Sequence, residues 1–332
     1  MDGDGLVSRT VFLTGATGFI GSRLARRYAE RGDRVKCLVR ASSNTTVLHE
    51  IGAELVEGEL GDADRLAREM HGADLACHLA AAYDMGPVDA RAMQETNVDG
   101  TRAFIEAVGK SGIARAVYVS TTAALPPATD GESKAIDAFD GPYPTVYHRT
   151  KAEAHRLARA AQARGQPLVI ACPAVVYGPG DVSPNGRFLI DVVKHRVPGL
   201  LMDPAWYSYV HVDDVVEGLV LAGDRGHTGS VYVLSGENAT LNDFAKRACE
   251  IAGVRAPVLR FPTGLARVTA GLLDAISRVT NIRFPLARET IDASTGYRWL
   301  HSHEPATREW GWQPRPLSAG LPETIAWVKS KR

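Results

Sequence analysis

Thr14-Gly15-Ala16-Thr17-Gly18-Phe19-Ile20-Gly21 joins a short apolar run at residues 10–13 to a segment of helical spacing at 19–31. The apolar run reads as a buried strand. In the second segment Ile20, Leu24 and Tyr28 fall on one face, and Gly32 marks the stop. Each glycine of the turn has its own use. Gly15 permits a tight turn, Gly18 removes a side chain where a pyrophosphate must approach, and Gly21 lets the helix pack closely on the strand. The helix N-terminus then offers N–H groups and the positive end of its dipole to phosphates. A glycine-rich turn alone also occurs in ordinary strand–helix connections. Here it follows the first strand of a repeating strand–helix series, which points to a dinucleotide. Gly15, Thr17, Gly18, Phe19 and Ile20 are the expected contacts.

The series continues outward. Strands are expected at 35–39, 54–56, 75–79, 116–119 and 168–171, and helices at 64–70, 96–111 and 147–163. The strands are continuously apolar, as when helices cover both faces of a sheet. Strand–helix–strand crossovers imply parallel pairing. The expected fold class is α/β, a Rossmann-type doubly wound parallel sheet with a smaller α+β substrate domain. After Pro173 the pattern loosens. Residues 178–186 have loop chemistry, 188–195 is compatible with a helix, 241–252 reads as a helix between strands at 231–234 and 258–261, and 321–328 is a last helix. The expected division is a dinucleotide-binding domain over 8–175 with a return segment at about 207–232, and a substrate-binding domain over 176–206 and 233–332.

The chain has 332 residues, zero formal net charge, 45% hydrophobic and 23% charged residues. Such a length buries a large core without disulfide or metal staples, and the charge balance argues against a nucleic-acid partner. Cys37, Cys77, Cys172 and Cys249 show no CxxC spacing, so neither zinc nor disulfides are expected, and each reads as a small buried hydrophobe. Residues 1–6 lack the basic-then-apolar pattern of a secretory signal. Asp2 and Asp4 resemble the start of a calcium loop, but its remaining ligands are missing. No apolar stretch reaches the length of a membrane span. The best one, 263–279, is interrupted by Arg267, Asp274 and Arg278. A reduced cytoplasmic setting, with no metal and no membrane partner, is expected.

The second strand ends at Arg40, followed by Ser42, Ser43 and Asn44, where an acidic residue would hold the ribose of NAD. A guanidinium grips a 2′-phosphate bidentately and hydroxyls add bonds, so NADP(H) is favoured over NAD(H). Further along, Tyr147 and Lys151 stand four apart on one helix, with Cβ atoms about 5–6 Å apart by helical geometry. At ~6 Å and an effective dielectric of ~20 the attraction between a phenolate and an ammonium is about 3 kcal/mol. That would draw the phenol from ~10 toward ~8. Tyr147 would then exchange a proton with a substrate oxygen as hydride moves. The strand before this helix ends in Ser120-Thr121-Thr122, on the sheet edge where ligands bind in open α/β folds.

With these motifs in place, the sequence resembles the extended short-chain dehydrogenase/reductases, the NAD-dependent epimerase/dehydratase family, from about Arg9 to the C-terminus. The resemblance rests on the turn at 14–21, His78-Leu79-Ala80-Ala81, Asn97-Val98-Asp99-Gly100-Thr101, Ser120-Thr121 and Tyr147-His148-Arg149-Thr150-Lys151. Pro173, Val176-Tyr177-Gly178-Pro179-Gly180 and Val210-His211-Val212-Asp213-Asp214 add to it. It is similar above all to the dihydroflavonol-reductase-like and 3β-hydroxysteroid-dehydrogenase-like branches, with hopanoid-associated sugar epimerases nearby. The resemblance implies Tyr147 as general acid/base, Lys151 as its tuner and ribose ligand, Thr121 as the catalytic hydroxyl with Thr122 as fallback, and Asn97 as the helix asparagine near the cofactor. It implies Leu79, Ala80 and Ala81 beside the ribose and pyrophosphate, and Pro173, Ala174 and Val176 behind the nicotinamide. Glu59-Leu60 stands where the family often has Asp and an apolar residue near the adenine. Helices 97–111 and 147–163 resemble the pair that forms a four-helix interface in the family, which implies a homodimer.

Departures from the family pattern narrow the chemistry. Thr121 is followed by Thr122-Ala123, not by the Asp-Glu pair of nucleotide-sugar dehydratases. Trp206-Tyr207-Ser208-Tyr209 stands where nucleotide-sugar enzymes commonly carry an arginine, which favours a less charged, more apolar substrate. Tyr83, Met85, Thr122, Tyr177, Arg187 and Trp206 are the expected substrate contacts, and Arg187 still leaves room for an anion. His211, Asp213 and Asp214 read as structural, with Asp213 capping a helix near Val215, while His301 and His303 read as solvated loop residues. Trp299, Trp310 and Trp312 read as core and turn anchors. The expected function is NADP(H)-dependent interconversion of a ketone and a secondary alcohol on a small organic substrate. The alternatives are a sugar or nucleotide-sugar epimerase that uses the dinucleotide transiently, and a non-catalytic dinucleotide-sensing protein.

Overall fold

The computed structural model describes residues 8–84, 89–280 and 288–331. In chain order the first part comprises β1 (Thr10–Thr14), α1 (Phe19–Glu30), β2 (Arg34–Val39), α2 (Thr46–Glu50), β3 (Glu54–Glu57), α3 (Ala63–Met70) and β4 (Leu75–His78). There follow α4 (Ala90–Gln94), a π-helical turn (Glu95–Asp99), α5 (Gly100–Ser111), β5 (Ala116–Val119), a 3-10 turn (Thr122–Ala124), α6 (Val146–Ala163) and β6 (Leu168–Pro173). The later elements are β7 (Val175–Tyr177), α7 (Pro184–Val193), β8 (Gly199–Leu201), β9 (Trp206–His211), α8 (Val212–Arg225), β10 (Val231–Leu234), β11 (Glu237–Thr240) and α9 (Leu241–Ala252). The chain closes with β12 (Leu259–Phe261), α10 (Thr263–Thr280), α11 (Arg288–Ala293), β13 (Arg298–Trp299), α12 (Glu304–Trp310) and α13 (Leu317–Ser330).

Seven strands pair in parallel in the order β10-β6-β5-β4-β1-β2-β3. The pleat sends alternate residues to opposite faces, and each face is apolar. Val11, Leu13, Cys77, Val117 and Val169 meet α1 and α8 through Leu24, Tyr28, Val215 and Leu219. Phe12, Ala76, Tyr118 and Ile170 meet α3, α5 and α6 through Leu66, Phe104 and Ala158. This two-sided burial explains the unbroken apolar strands in the sequence. The strand order reverses between β1 and β4, so the crevice at their C-terminal ends is the natural ligand site. All four cysteines are buried and free.

A second sheet runs β11-β9-β13, with β7 also paired to β9, and a two-stranded ladder joins β12 to β8. β9 therefore belongs to this sheet, whereas α8 packs on the large sheet and β10 completes it. β7, β8, β11 and β13 are only two to four residues long, and six-residue β9 mixes aromatic and polar residues, so none of these strands shows a period in the sequence. The sequence reading expected one helix over 96–111, where a π turn instead separates α4 from α5. Residues 263–280, read only as an interrupted apolar stretch, form α10, which exposes Leu265, Val268, Leu272 and Ile276. Among the described residues no helix is long and apolar enough to cross a membrane. Met85 and residues 1–7 lie outside the described residues.

Candidate active site

The glycine turn sits at the reversal point. Gly15 has φ +75°, and a Cβ there would lie 2.5 Å from the Ala80 backbone nitrogen. A Cβ on Gly21 would run into the carbonyl oxygen of Gly15. Only glycine lets the ends of β1 and β4 and the start of α1 close up this far. α1 begins at Phe19 with Gly18 as N-cap, no capping side chain and no acidic residue in its first turn. Its first N–H groups and positive dipole end are thus open to an anion, so the cradle fits a dinucleotide pyrophosphate. Thr17 is exposed beside it, and Phe19 and Ile20 are half-buried. Leu79 and Ala80 are half-buried on the opposite lip and Ala81 is exposed. Arg40 is exposed just beyond β2, where the Ser43 hydroxyl accepts its backbone N–H at 3.3 Å. Glu59 is exposed and Leu60 packs against Gly100. Pro173, Ala174 and Val176 continue the C-terminal end of β6, with the Ala174 amide tied to Leu234 at 3.0 Å.

Of the three hydroxyls after β5, the structure separates the roles. Ser120 lies 2.8 Å from His155 Nδ1, and His155 Nε2 lies 2.9 Å from the Ile136 carbonyl. A carbonyl only accepts, so Nε2 carries the proton and Nδ1 accepts from Ser120. The Ser120 hydroxyl is therefore committed to the core. Thr122 is buried within the 3-10 turn. Thr121 is the one beside the Tyr147 phenol, where its hydroxyl favours the ionised form, and it also accepts the Ala123 N–H at 3.2 Å. The Tyr83 ring lies 4.5 Å from that of Tyr147. His155 lies four residues beyond Lys151, as Lys151 lies four beyond Tyr147, so this partner was legible on the same helix face.

The electrostatics differ from the expectation. Burial pushes the Tyr147 phenol up to about 12, opposed only by the Thr121 hydroxyl. Lys151 does not lower it. Its ammonium points into the sheet, 3.4 Å from the Tyr118 hydroxyl and 3.2 Å from the Val119 carbonyl. Burial holds Lys151 down at about 8. Helical spacing placed the pair on one face but could not show where the ammonium turns. Sign follows from linkage: with the folded value below the unfolded one, Lys151 costs stability while charged, and that cost fades as pH rises from about 8 through 10.5. Lys151→Met should therefore raise the urea midpoint at pH 7, with the gain shrinking toward pH 10. A loss of stability at pH 7 would contradict this.

Around the pair stands a buried polar scaffold. The Asn97 amide, on the π turn, accepts from the Ala82 N–H at 2.7 Å and donates to the Ala82 carbonyl and Thr150 hydroxyl, both at 3.0 Å. It ties the loop after β4 to α6 rather than touching Tyr147. Thr101 donates to the Asn97 carbonyl, so His78 Nε2 donates to Thr101 and His78 Nδ1 accepts from Thr14 at 2.7 Å. His78 is held neutral, its pKa lowered to about 3 by burial and by Lys151.

A cavity of about 1000 Å³ is walled by residues including Asp84, Val176, Tyr177, Arg187, Tyr207, Phe261 and Trp327; Tyr147, Thr121 and Lys151 are not among its lining residues. Tyr177 and Arg187, expected as substrate contacts, line this cavity, and Arg187 is paired with Asp84 at 2.8 Å. Trp206 is not part of this wall; its ring lies at the start of β9 under the Arg298 guanidinium. Three histidine readings change. His211, not Asp213, caps α8, which begins at Val212. His301 is fully buried with Nε2 3.1 Å from the Pro126 carbonyl, and His303 pairs with Ser235 at 3.2 Å. Trp299, Trp310 and Trp312 are buried. His211, Asp213 and Glu323 converge, but Arg23 and Arg315 already pair with the two carboxylates at 3.5 and 3.2 Å.

Residues 11–235 match the NAD dependent epimerase/dehydratase family. A Synechocystis sp. protein named "Putative dihydroflavonol 4-reductase" is 30% identical, with 96% of this chain and 94% of that protein aligned. The 4-hydroxy-2-methyl-3-oxo-4-farnesyl-3,4-dihydroquinoline-1-oxide ketoreductase of Stigmatella aurantiaca is 32% identical, with 83% of this chain and 84% of that protein aligned. The crystal structure of gox2253 superposes with a TM-score of 0.81 at 32% identity, covering 97% of this chain and 98% of the other. The chain belongs to the NAD dependent epimerase/dehydratase family, the extended short-chain dehydrogenase/reductases, enzymes that work with a nicotinamide dinucleotide.

Proposed function

We propose that this enzyme reduces a ketone to a secondary alcohol with NADPH, with Tyr147 as the proton donor. The observation that carries the reading is the buried Tyr147 phenol, raised to about 12, with the Thr121 hydroxyl beside it and the Tyr83 ring 4.5 Å away. A phenol protonated at neutral pH is an acid, suited to protonate a carbonyl oxygen as it gains negative charge. Thr121 orients that oxygen, Tyr83 packs the phenol in place, and Lys151 keeps a cation behind the site below about pH 8. Asn97 acts as a positioning residue through Ala82 and Thr150. The bound dinucleotide supplies the hydride. Gly15, Thr17, Gly18, Phe19, Ile20, Leu79, Ala80 and Ala81 line its pyrophosphate side, Glu59 and Leu60 its adenine side, and Pro173, Ala174 and Val176 its nicotinamide side. Residues 176–206 and 233–332 hold the substrate.

The ketoreductase named among the relatives supports the same reaction class. A screen of ketones should oxidise NADPH with one alcohol formed per NADPH consumed. Isomerisation of a sugar with no net change in the dinucleotide would replace this reading with the epimerase one. The preference for the 2′-phosphate rests on Arg40 and Ser43. Arg40→Asp should shift the ratio of kcat/KM for NADPH over NADH by about 10²-fold toward NADH, the size of a lost bidentate charged contact. An unchanged ratio would make Arg40 an ordinary surface residue.

A further inference from the structure

We propose that the cavity lined by Asp84, Tyr177 and Tyr207 takes an uncharged substrate carrying a long hydrocarbon chain, and that Asp84 and Asp191 set this selectivity by neutralising its two arginines. The inference rests on the ketone-reductase reading of the site and names its substrate class. At about 1000 Å³ the cavity stands at the upper end of small-molecule sites. At liquid density it holds on the order of 30 non-hydrogen atoms. A short polar ketone would leave most of it unfilled.

Charge decides against a nucleoside diphosphate. Among the described residues the wall has two cationic side chains, Arg187 and Arg196, and three carboxylates, Asp84, Asp181 and Asp191. Arg187 is paired with Asp84 at 2.8 Å and Arg196 with Asp191 at 3.3 Å. Asp181 is buried and its carboxyl is raised by desolvation. A diphosphate entering here would have to break both pairs and face a net acidic wall. Much of the remaining surface is apolar, with Tyr207, Phe244, Phe261, Leu265, Ala266 and Trp327 on five different elements.

Polarity is also arranged along the cavity. Asn185 and the Asp84–Arg187 pair adjoin Tyr83: Asn185 is near enough to the Tyr83 hydroxyl to oppose its upward shift, and Asp84 follows Tyr83 in sequence. The Tyr83 ring in turn packs against Tyr147, tilted by 45° at 4.5 Å. A substrate with one polar, reducible end and an apolar body matches this order: the carbonyl toward Tyr147, the chain against the aromatic wall.

The test is calorimetric binding of straight-chain 2-ketones from 2-hexanone to 2-dodecanone to the full-length protein and to Tyr147→Phe, with UDP as the anionic probe. Affinity should rise two- to fourfold per added methylene in both proteins, the fold-change of burying one CH₂, and UDP should not compete. Ala266→Phe, which narrows the cavity, should weaken 2-dodecanone at least tenfold more than 2-hexanone. Affinity independent of chain length, or displacement by UDP, overturns the proposal. Chain-length-dependent binding without NADPH oxidation on any ketone upholds the cavity assignment and removes the reductase reading. NADPH oxidation confined to short polar ketones, with no gain in affinity along the series, does the reverse.

Discussion

With Tyr147 replaced by phenylalanine, turnover should fall about 10³-fold while dinucleotide affinity stays within a factor of two. The size follows from removing a positioned general acid, which contributes roughly 10² to 10⁴ in rate. The phenylalanine ring keeps its place: α6 is set by its N-cap Thr145, and the ring still meets Tyr83. What disappears is the one hydroxyl beside Thr121. The effect should appear in kcat rather than in KM, because the proton is needed only as charge develops on the substrate oxygen. Steady-state NADPH oxidation and fluorescence titration of the dinucleotide measure the two quantities separately. Comparable turnover in the variant would remove Tyr147 from the chemistry.

The second large effect concerns acid. His78 is lowered to about 3, and His148, His155 and His301 to about 4, each chiefly by burial. Their folded values lie below the unfolded value of 6.5, so the unfolded chain binds protons that the folded chain refuses. Stability is therefore intact above pH 6.5 and lost as pH falls toward 4. Each group contributes about 1.4 kcal/mol per pH unit in that window. Together the four cost on the order of 8 kcal/mol by pH 5, comparable to the whole stability of an ordinary domain. The urea midpoint should drop steeply between pH 7 and pH 5, with spontaneous unfolding near the lower end. A midpoint that barely moves across that interval would show that these imidazoles are free to protonate in the native state.

Much of the large sheet was legible because its signals are local. Apolar runs of four to six residues, a glycine turn and Ala-rich helices each report on their own neighbourhood, and β1, β2, β4, β5 and β6 fall within a residue or two of expectation. The second sheet was not, since a two-residue strand such as Arg298–Trp299 has no period to read and exists only through its pairing with β9. The site shows the same division. Spacing along α6 brought Tyr147 and Lys151 to one face, and His155, four residues further on, was not singled out. The direction of the Lys151 ammonium, the commitment of Ser120 to His155 and the Asp84–Arg187 pair depend on groups tens of residues away in sequence. The phenol's shift was misjudged for that reason: a two-body estimate in a surface-like dielectric left out desolvation, which dominates here.

The π turn at Glu95–Asp99 has a consequence for how such a chain can change over time. It inserts one extra residue per turn between α4 and α5, and Asn97 reaches both Ala82 and Thr150 from it. Deleting a single residue would restore ordinary winding with the flanking helices close to their present phase, and the bulge that carries the amide to both partners would be lost. This stretch is thus closed to length variation even where its outer side chains are free to vary, a frame-locked seam inside an otherwise tolerant helix pair.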